Sequence, residues 1–382
     1  MILALAILSA LIAVGAVVQL AIGYRATPTL ANQPPLAPGA PAPRVSIVVA
    51  ARDEVRAVEA AVRSLLRQDY PDLEVVAVDD RSRDGTGEVL DRLAASEPRL
   101  RVTHIAELPE GWLGKTFALA GGARAASGEL LLFTDADVVL DATAVSRAVA
   151  LMRARGLDHL AVGPGLHIPS VRLALVVNFF IMTFMLFQRP WRAANPRSRD
   201  HIGIGAFNLV RRTAYERAGG HARVALRPDD DVKLGKALKQ AGARQLFAGG
   251  RGMVTVEWYR TLGEMTEGLR KNAFAGMEYR VSAAVGATLA TLLLHVAPFV
   301  GLALARGTAQ LLFGVACFAL VAGYFASAWL QRSRPWLAIL FPVAALLFAW
   351  IFVRNVVLTL AEGGITWRGT RYSLAELRKN VV

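Results

Sequence analysis

LLLFTDADVVL, residues 130–140, is an apolar run with two carboxylates, Asp135 and Asp137, in its middle. A short continuous apolar run bounded by turn signals reads as a buried strand of a parallel sheet. An ionised Asp inside such a strand is costly unless it is paired, hydrogen-bonded or bound to a metal. If the strand ends near Thr134, both carboxylates sit where the chain leaves the sheet. With one residue between them, they can turn toward the same cleft.

Working outward, strand and helix signals alternate from Arg44 onward. VSIVVAA (45–51) reads as a strand, and EVRAVEAAVRSLLRQ (54–68) as a helix with Val55, Val58, Val62, Leu65 and Leu66 on one face. LEVVAV (73–78) is a strand followed by the turn-rich DDRSRDGTG. A helix near 86–95, a strand at 101–105 and a helix at 115–126 (KTFALAGGARAA) lead to the strand ELLLFT (129–134). This order implies βαβ units around a mostly parallel sheet, whose ligands bind beyond the carboxyl ends of the strands. Three strands deliver acids to that edge: Asp53 and Glu54, then Asp79 and Asp80, then Asp135 and Asp137. Singly, each could cap a helix or hold a turn. Together they point to a divalent cation, Mg²⁺ or Mn²⁺, shared with a phosphate-bearing ligand. No G-x-x-x-x-G-K-[ST] is present, and no G-x-G-x-x-G follows a strand; GIGAFN (203–208) has two glycines in another context. No H-E-x-x-H occurs among the six histidines.

The ends of the chain are apolar and account for a mean hydropathy of +0.40. Met1 to Tyr24 carries no charge and is long enough to span a bilayer as an uncleaved anchor, with a cleaved signal peptide as the rival reading. A Pro/Ala-rich linker (25–43) follows. Ala283–Leu304, Ala309–Leu330 and Trp336–Leu360 are three later candidate spans, the last carrying Arg354. VRLALVVNFFIMTFMLF (171–187) is expected to be an interfacial helix near the acceptor side of the site. Much of the +13 charge flanks these segments, with eight Lys/Arg against two acids in 281–382. That pattern fits membrane-proximal cytoplasmic loops. No dense basic stripe with interleaved aromatics appears, so nucleic acid is not an expected partner. The single cysteine, Cys317, excludes an intrachain disulfide and a Cys-based zinc site.

VSIVVAARDE, VDDRSRDGT, GKTFALAGGARAASGELLLFTDAD, GIGAFNLVRRTAYERAGG and DDDVKLGKALKQAG occur in that order. The set resembles the membrane-bound family 2 glycosyltransferases over about Arg44 to Gly276. The N-terminal anchor, GWLGK (111–115) and WRGTRY (367–372) are most similar to the bacterial carotenoid, hopanoid-associated and ceramide-type lipid enzymes. The resemblance implies an α/β fold of the GT-A (nucleotide-diphosphosugar transferase) type, a Rossmann-like mostly parallel sheet. One N-terminal and two to three C-terminal transmembrane helices would accompany it. The implied division is an anchor (1–24), linker (25–43), GT-A domain (44–280), membrane helices (281–361) and basic tail (362–382).

The resemblance also implies roles. Ala51, Glu54, Asp80, Lys115 and Asp135 would bind the nucleotide of a nucleotide-sugar donor, UDP-linked by preference. Asp137, with Asp135, would hold the divalent metal. Gly205, Ala206, Phe207 and Asp230 would receive the acceptor, and core packing is the competing role for Phe207. Asp231 would be the catalytic base, its basicity raised by Asp229 and Asp230 beside it. Capping of the helix VKLGKALKQAG is the competing reading for these acids. The Q-x-x-R-W motif of processive relatives is replaced by GLRKNAFAG (268–276), where Arg270 or Lys271 would face the diphosphate.

The implied activity is inverting transfer of a single sugar to a lipid hydroxyl, from an enzyme of the cell inner membrane with its catalytic domain cytoplasmic. A processive polysaccharide synthase, a polyprenyl-phosphate sugar transferase and a non-catalytic nucleotide-sugar-binding scaffold are the alternatives. One anchor and three late spans would put the tail opposite the catalytic domain. Arg368, Arg371, Arg378 and Lys379 argue for a cytoplasmic tail instead.

Overall fold

The computed structural model describes residues 1–37, 39–380 and 382, and the chain divides into two compact units. One consists of Thr27–His167, Pro190–Glu257 and Lys379–Val382. Its strands are β1 (Val45–Ala51), β2 (Leu73–Asp80), β3 (Leu100–Ile105), β4 (Leu130–Asp135), β5 (Val139–Leu140), β6 (His159–Gly163), β7 (Gly165–Leu166), β8 (Asn208–Arg211), β9 (Gln245–Gly249) and β10 (Val254–Val256). Among the described residues the main sheet has seven strands, in the order β3-β2-β1-β4-β8-β6-β9. All run parallel except β8, which is antiparallel to both β4 and β6. A small sheet, β5-β10-β7, stands beside it.

β1 and β4 are central and apolar because helices cover both sheet faces. Val45, Ile47 and Val49 point into one core with Leu132 and the helix Val58–Leu66. Val48, Leu131 and Phe133 point into the other, against Leu119 and Leu234. Register brings the acids level: Ala51 lies opposite Asp79, and Ala50 opposite Asp135. Both acid-bearing strands run further than expected, to Asp80 and Asp135, so these carboxylates end the strands rather than begin the loops. The first helix, expected from Glu54, starts only at Val58. Before it the chain is braced to the neighbouring loop: the Glu54 N–H donates to Thr86 Oγ1 (2.8 Å) and the Val55 N–H to Asp84 Oδ2 (3.0 Å).

The Pro/Ala-rich segment is no free spacer. Thr29 forms a parallel bridge to Gly249, the Gly249 N–H donates to the Pro28 carbonyl (2.9 Å), and Leu30 is buried.

At the end of the sheet away from the acid edge, Glu74 of β2 is a buried charge. It accepts from Ser46 Oγ, from the Ser127 N–H (2.6 Å) and Oγ (2.8 Å), and from Arg101 (3.1 Å). Burial alone would raise its pKa, but these donors outweigh it and hold the carboxyl at about 2.

The second unit is Met1–Ala26, Ile168–Arg189 and Trp258–Arg378. Five helices among the described residues are long and apolar enough to cross a membrane: Ile2–Ala26, Val171–Ala194, Val281–Leu304, Gly307–Leu330 and Pro335–Ala361. Val281–Leu304 is broken at Val296, ahead of Pro298. The fifth opens as a 3₁₀ turn, Pro335–Leu340, and becomes α-helical at Phe341. Trp258–Arg280 packs with these helices, so the limit expected at residue 280 falls at 257. The basic tail forms a hairpin of β11 (Gly364–Trp367) and β12 (Thr370–Ser373).

Because the Glu74 carboxyl sits below its ordinary range in the folded state, its contribution is present above pH 4.5 and drains away as pH falls toward 2. Glu74→Ala is expected to cost roughly 2–3 kcal/mol at pH 7, typical of charged buried hydrogen bonds. The melting-temperature gap to wild type should narrow below pH 4.5.

Candidate active site

The cleft at the strand ends is organised around one ammonium group. Lys115 is the second residue of the helix Gly114–Ala125; its Nζ lies 2.7 Å from Asp135 Oδ1 and 3.7 Å from Asp230 Oδ1. Burial would lower the lysine pKa, but Asp135, Asp230 and Asp231 together raise it. The helix start is tied to the segment before Asp230. The Leu113 N–H donates to the Ala225 carbonyl (2.8 Å), as does Thr116 Oγ1 (2.6 Å). The GWLGK stretch therefore sets the lysine against the acids of PDDD.

Asp230 and Asp231 open the helix Asp230–Gln240. Asp231 Oδ2 accepts from the Gly205 N–H (2.7 Å) and Oδ1 from its neighbour Val232 N–H (2.8 Å). This carboxylate thus holds the Gly205 loop and one of the unpaired N–H groups of the first helical turn, while Asp229 at the N-cap makes no side-chain cap bond. Its pKa is raised, as expected, but for a different reason. Burial is the main cause, with Asp135 adding to it and Lys115 opposing it. Asp229 is instead gripped at both oxygens by the buried Arg227, each contact 2.9 Å. Gly205 lets the backbone come close to the acids: a Cβ there would stand 2.8 Å from Asp135 Oδ2, which would have to shift.

Asp137, just past the strand end, has its carboxyl pushed up to about 7 by burial and by the nearby charges of Asp135 and Glu54. Carboxylates crowded in this way are a hard-oxygen donor set for a divalent cation. Among the described residues no three His, Cys, Asp or Glu side chains form a ready-made cage. One or two carboxylates that leave the remaining ligands to phosphate and water match Mg²⁺ or Mn²⁺ better than a closed protein site.

Asp80 is buried, 3% exposed, beneath the start of the Lys115 helix, where a Cβ on Gly114 would meet its Oδ2 at 2.0 Å. It accepts from Arg81 Nε (2.7 Å) and lies 3.5 Å from Arg52 Nη1. Both oxygens of this carboxylate are thus faced by arginine. Asp53 and Asp79 are structural: the Arg83 N–H donates to Asp53 (2.9 Å), and Asp79 bonds Ser82 N–H (3.2 Å) and His104 (3.0 Å). Ala51 is buried at the end of β1. Ala206 offers its carbonyl to Thr134 Oγ1 (2.8 Å), and the Phe207 ring lies wholly in the core. Arg270 pairs with Glu362, and Lys271 lies 4.4 Å over the Trp367 ring, both within the unit of apolar helices.

One residue escaped sequence reasoning. His221 lines a small cavity with Lys115, Asp135, Asn208, Asp230 and Asp231. Its Nδ1 is 2.8 Å from the Tyr215 hydroxyl, its ring meets Phe133 edge-on at 4.6 Å, and burial depresses its pKa to about 3. The site thus has a neutral imidazole on its floor. Only the His in the GGHA stretch (219–222) hinted at it.

The mostly parallel seven-stranded sheet, with β8 inserted antiparallel, is of the nucleotide-diphosphosugar transferase class of α/β fold. The mannosyltransferase PcManGT of Pyrobaculum calidifontis, solved with GDP-Man and Mn²⁺, shares this fold, with a TM-score of 0.54 and 21% identity over 95% of this chain and 99% of its own. Residues 46–219 match glycosyl transferase family 2, so this stretch is similar to the domain of that family. A 4,4'-diaponeurosporenoate glycosyltransferase of Staphylococcus haemolyticus is 25% identical over 239 residues, 61% of each chain. The beta-monoglucosyldiacylglycerol synthase of Synechocystis is 35% identical over 121 residues, 30% of this chain and 23% of that one. The chain therefore spans about three-fifths of the first of these relatives and under a quarter of the second.

Lys115→Met strips three carboxylates of their cation. The loss should be roughly 1–3 kcal/mol at pH 8, below the cost for a fully buried pair because the site is partly open. Freed of the opposing lysine, Asp231 has its already raised folded-state pKa raised further, which favours stability at low pH and loses it as pH rises. The melting-temperature deficit should therefore shrink from pH 8 to pH 5.

Proposed function

We propose that the chain is a membrane-anchored, metal-dependent inverting glycosyltransferase that moves a single sugar from a nucleotide-sugar of the UDP class to a lipid hydroxyl. The observation that carries this reading is Asp231. Its carboxylate is aimed by the Gly205 and Val232 N–H groups and stands in the same charged cluster as Asp135. A raised pKa suits a group that must take the acceptor proton as the hydroxyl attacks the anomeric carbon. The names of the carotenoid- and diacylglycerol-linked relatives support a lipid acceptor.

In this reading Asp137 and Asp135 hold the divalent ion. When bound, it offsets charge on the departing diphosphate. Lys115 supports the same diphosphate from the helix start, and Glu54, Ala51 and Asp80 border the nucleoside, with Arg81 turning away from Asp80 as the base enters. Gly205 and Ala206 keep the acceptor side narrow, Asp230 holds Lys115, and Phe207 supports the loop from the core. Arg270 and Lys271, engaged with Glu362 and Trp367, receive no role. The catalytic unit faces the cytoplasm at the inner membrane, which agrees with the basic tail.

The test is product formation by detergent-purified protein given UDP-glucose, UDP-galactose, UDP-N-acetylglucosamine or GDP-mannose, Mn²⁺ and membrane lipid extract. One donor should yield a glycolipid, and EDTA should abolish it. Asp231→Asn should lower the rate roughly 100- to 10,000-fold, the usual worth of a general base. A mild effect of Asp231→Asn would point to a phosphate acceptor, which needs no base. No turnover of any donor would overturn the proposal.

A further inference from the structure

Five helices among the described residues have the length and apolarity to cross a bilayer, but the connections do not allow all of them to do so. The unit of Thr27–His167, Pro190–Glu257 and Lys379–Val382 is one hydrogen-bonded body, and such a body lies on one side of a membrane. The chain leaves it at His167, forms Val171–Gln188, and is back at Pro190. At about 27 Å this helix could span by length alone. Three residues precede it and one follows, and at about 3.5 Å per residue neither link can recross a core about 30 Å thick. A crossing here would separate β6 from β8, which are paired at His159 and Val210.

The same parity governs the later helices. Beyond them the tail is fastened back to the sheet unit: Asn380 accepts from the Leu226 N–H (2.9 Å) and donates to the Arg223 carbonyl (3.1 Å), and Lys236 reaches Val382 (2.5 Å). The number of crossings between Glu257 and Lys379 is therefore even, and three candidates must yield two.

Gly307–Leu330 crosses as the N-terminal helix does, because the two run antiparallel along their whole length. Tyr24 bonds Ser327 (2.8 Å) at one end, while Ala6 is buried with Ala305, Ala309 and Phe313 at the other, about 27 Å away. The loop after it returns to the starting side. There the Arg334 guanidinium donates to the carbonyls of Ile168, Pro169 and Ser170 (3.1–3.3 Å), the residues next to His167. Two crossings, Val281–Leu304 and Gly307–Leu330, are thus complete before Pro335. The last helix is held at its far end by Arg354 on Glu267 (2.6 Å) and Asn355 on the Thr266 carbonyl (2.9 Å). Those partners lie on the helix Leu262–Gly268, which begins five residues after Glu257.

We infer that Ile2–Ala26, Val281–Leu304 and Gly307–Leu330 cross the bilayer, and that Val171–Gln188 and Phe341–Ala361 do not. Both non-crossing helices enter and leave on the sheet unit's side and are immersed in that leaflet alone. They pack on each other through Phe179, Phe180, Phe341 and Phe348. The exposed Leu346, Trp350, Val353 and Val357 then meet acyl chains of one leaflet.

The experiment is labelling of single cysteines, in a Cys317→Ser background, with a membrane-impermeant maleimide applied to either face of sealed vesicles. Ser96→Cys, Arg332→Cys and Thr366→Cys should label from one face, and Arg306→Cys from the opposite face. Labelling of Arg332→Cys from the Arg306 face, or of Thr366→Cys from the face opposite Ser96, would overturn the inference. Trypsin digestion of the unsubstituted protein in the same vesicles gives an independent readout. Cleavage at Arg332 and Arg368 should occur from the same face, and cleavage from opposite faces contradicts the topology.

Discussion

The Lys115 ammonium, set between Asp135, Asp230 and Asp231, is the interaction on which the site depends. These acids come from different parts of the chain: one ends a central strand, and two open a helix about a hundred residues later. Their mutual repulsion would drive them apart in a partly closed cleft. One cation, anchored through Leu113 and Thr116 to Ala225, lets them coexist. The strain that remains appears at Asp137, where burial and the charges of Asp135 and Glu54 favour the protonated form. Crowding of this kind is relieved by a nearby cation, which is what the proposed metal role of Asp137 requires.

The parallel sheet and its acid edge were legible because both rest on local signals. Continuous β-branched runs mark buried parallel strands, and an acid after each run marks the edge. What the sequence concealed depends on long-range pairing. β8, a four-residue strand inserted antiparallel between β4 and β6, carries no pattern distinguishable from a buried loop. The division of labour among the acids was equally hidden. Asp53 and Asp79 hold loops, Asp135 lines the cavity with Lys115, and Glu54 and Asp137 feel each other's charge, and similar residue types give no sign of which does which. The raised pKa of Asp231 was foreseen from its flanking acids, yet Arg227 has claimed Asp229 and burial supplies the shift.

Apolarity in the sequence located the helices of the other unit but could not count the crossings. Hydropathy measures whether a segment tolerates lipid, whereas connectivity determines whether it can traverse. The short links around Val171–Gln188 and the docking of Asn380 carry that second kind of information. The end of the basic tail belongs to the sheet unit, through the hydrogen bonds of Asn380 to Arg223 and Leu226.

Calorimetry of UDP binding to the purified protein reads whether the acid edge holds a nucleotide diphosphate through a divalent cation. The account predicts a binding heat that appears with Mn²⁺, vanishes when the metal is chelated, and is lost in Asp137→Ala. UDP binding of equal strength without the cation, or undiminished in Asp137→Ala, would contradict it.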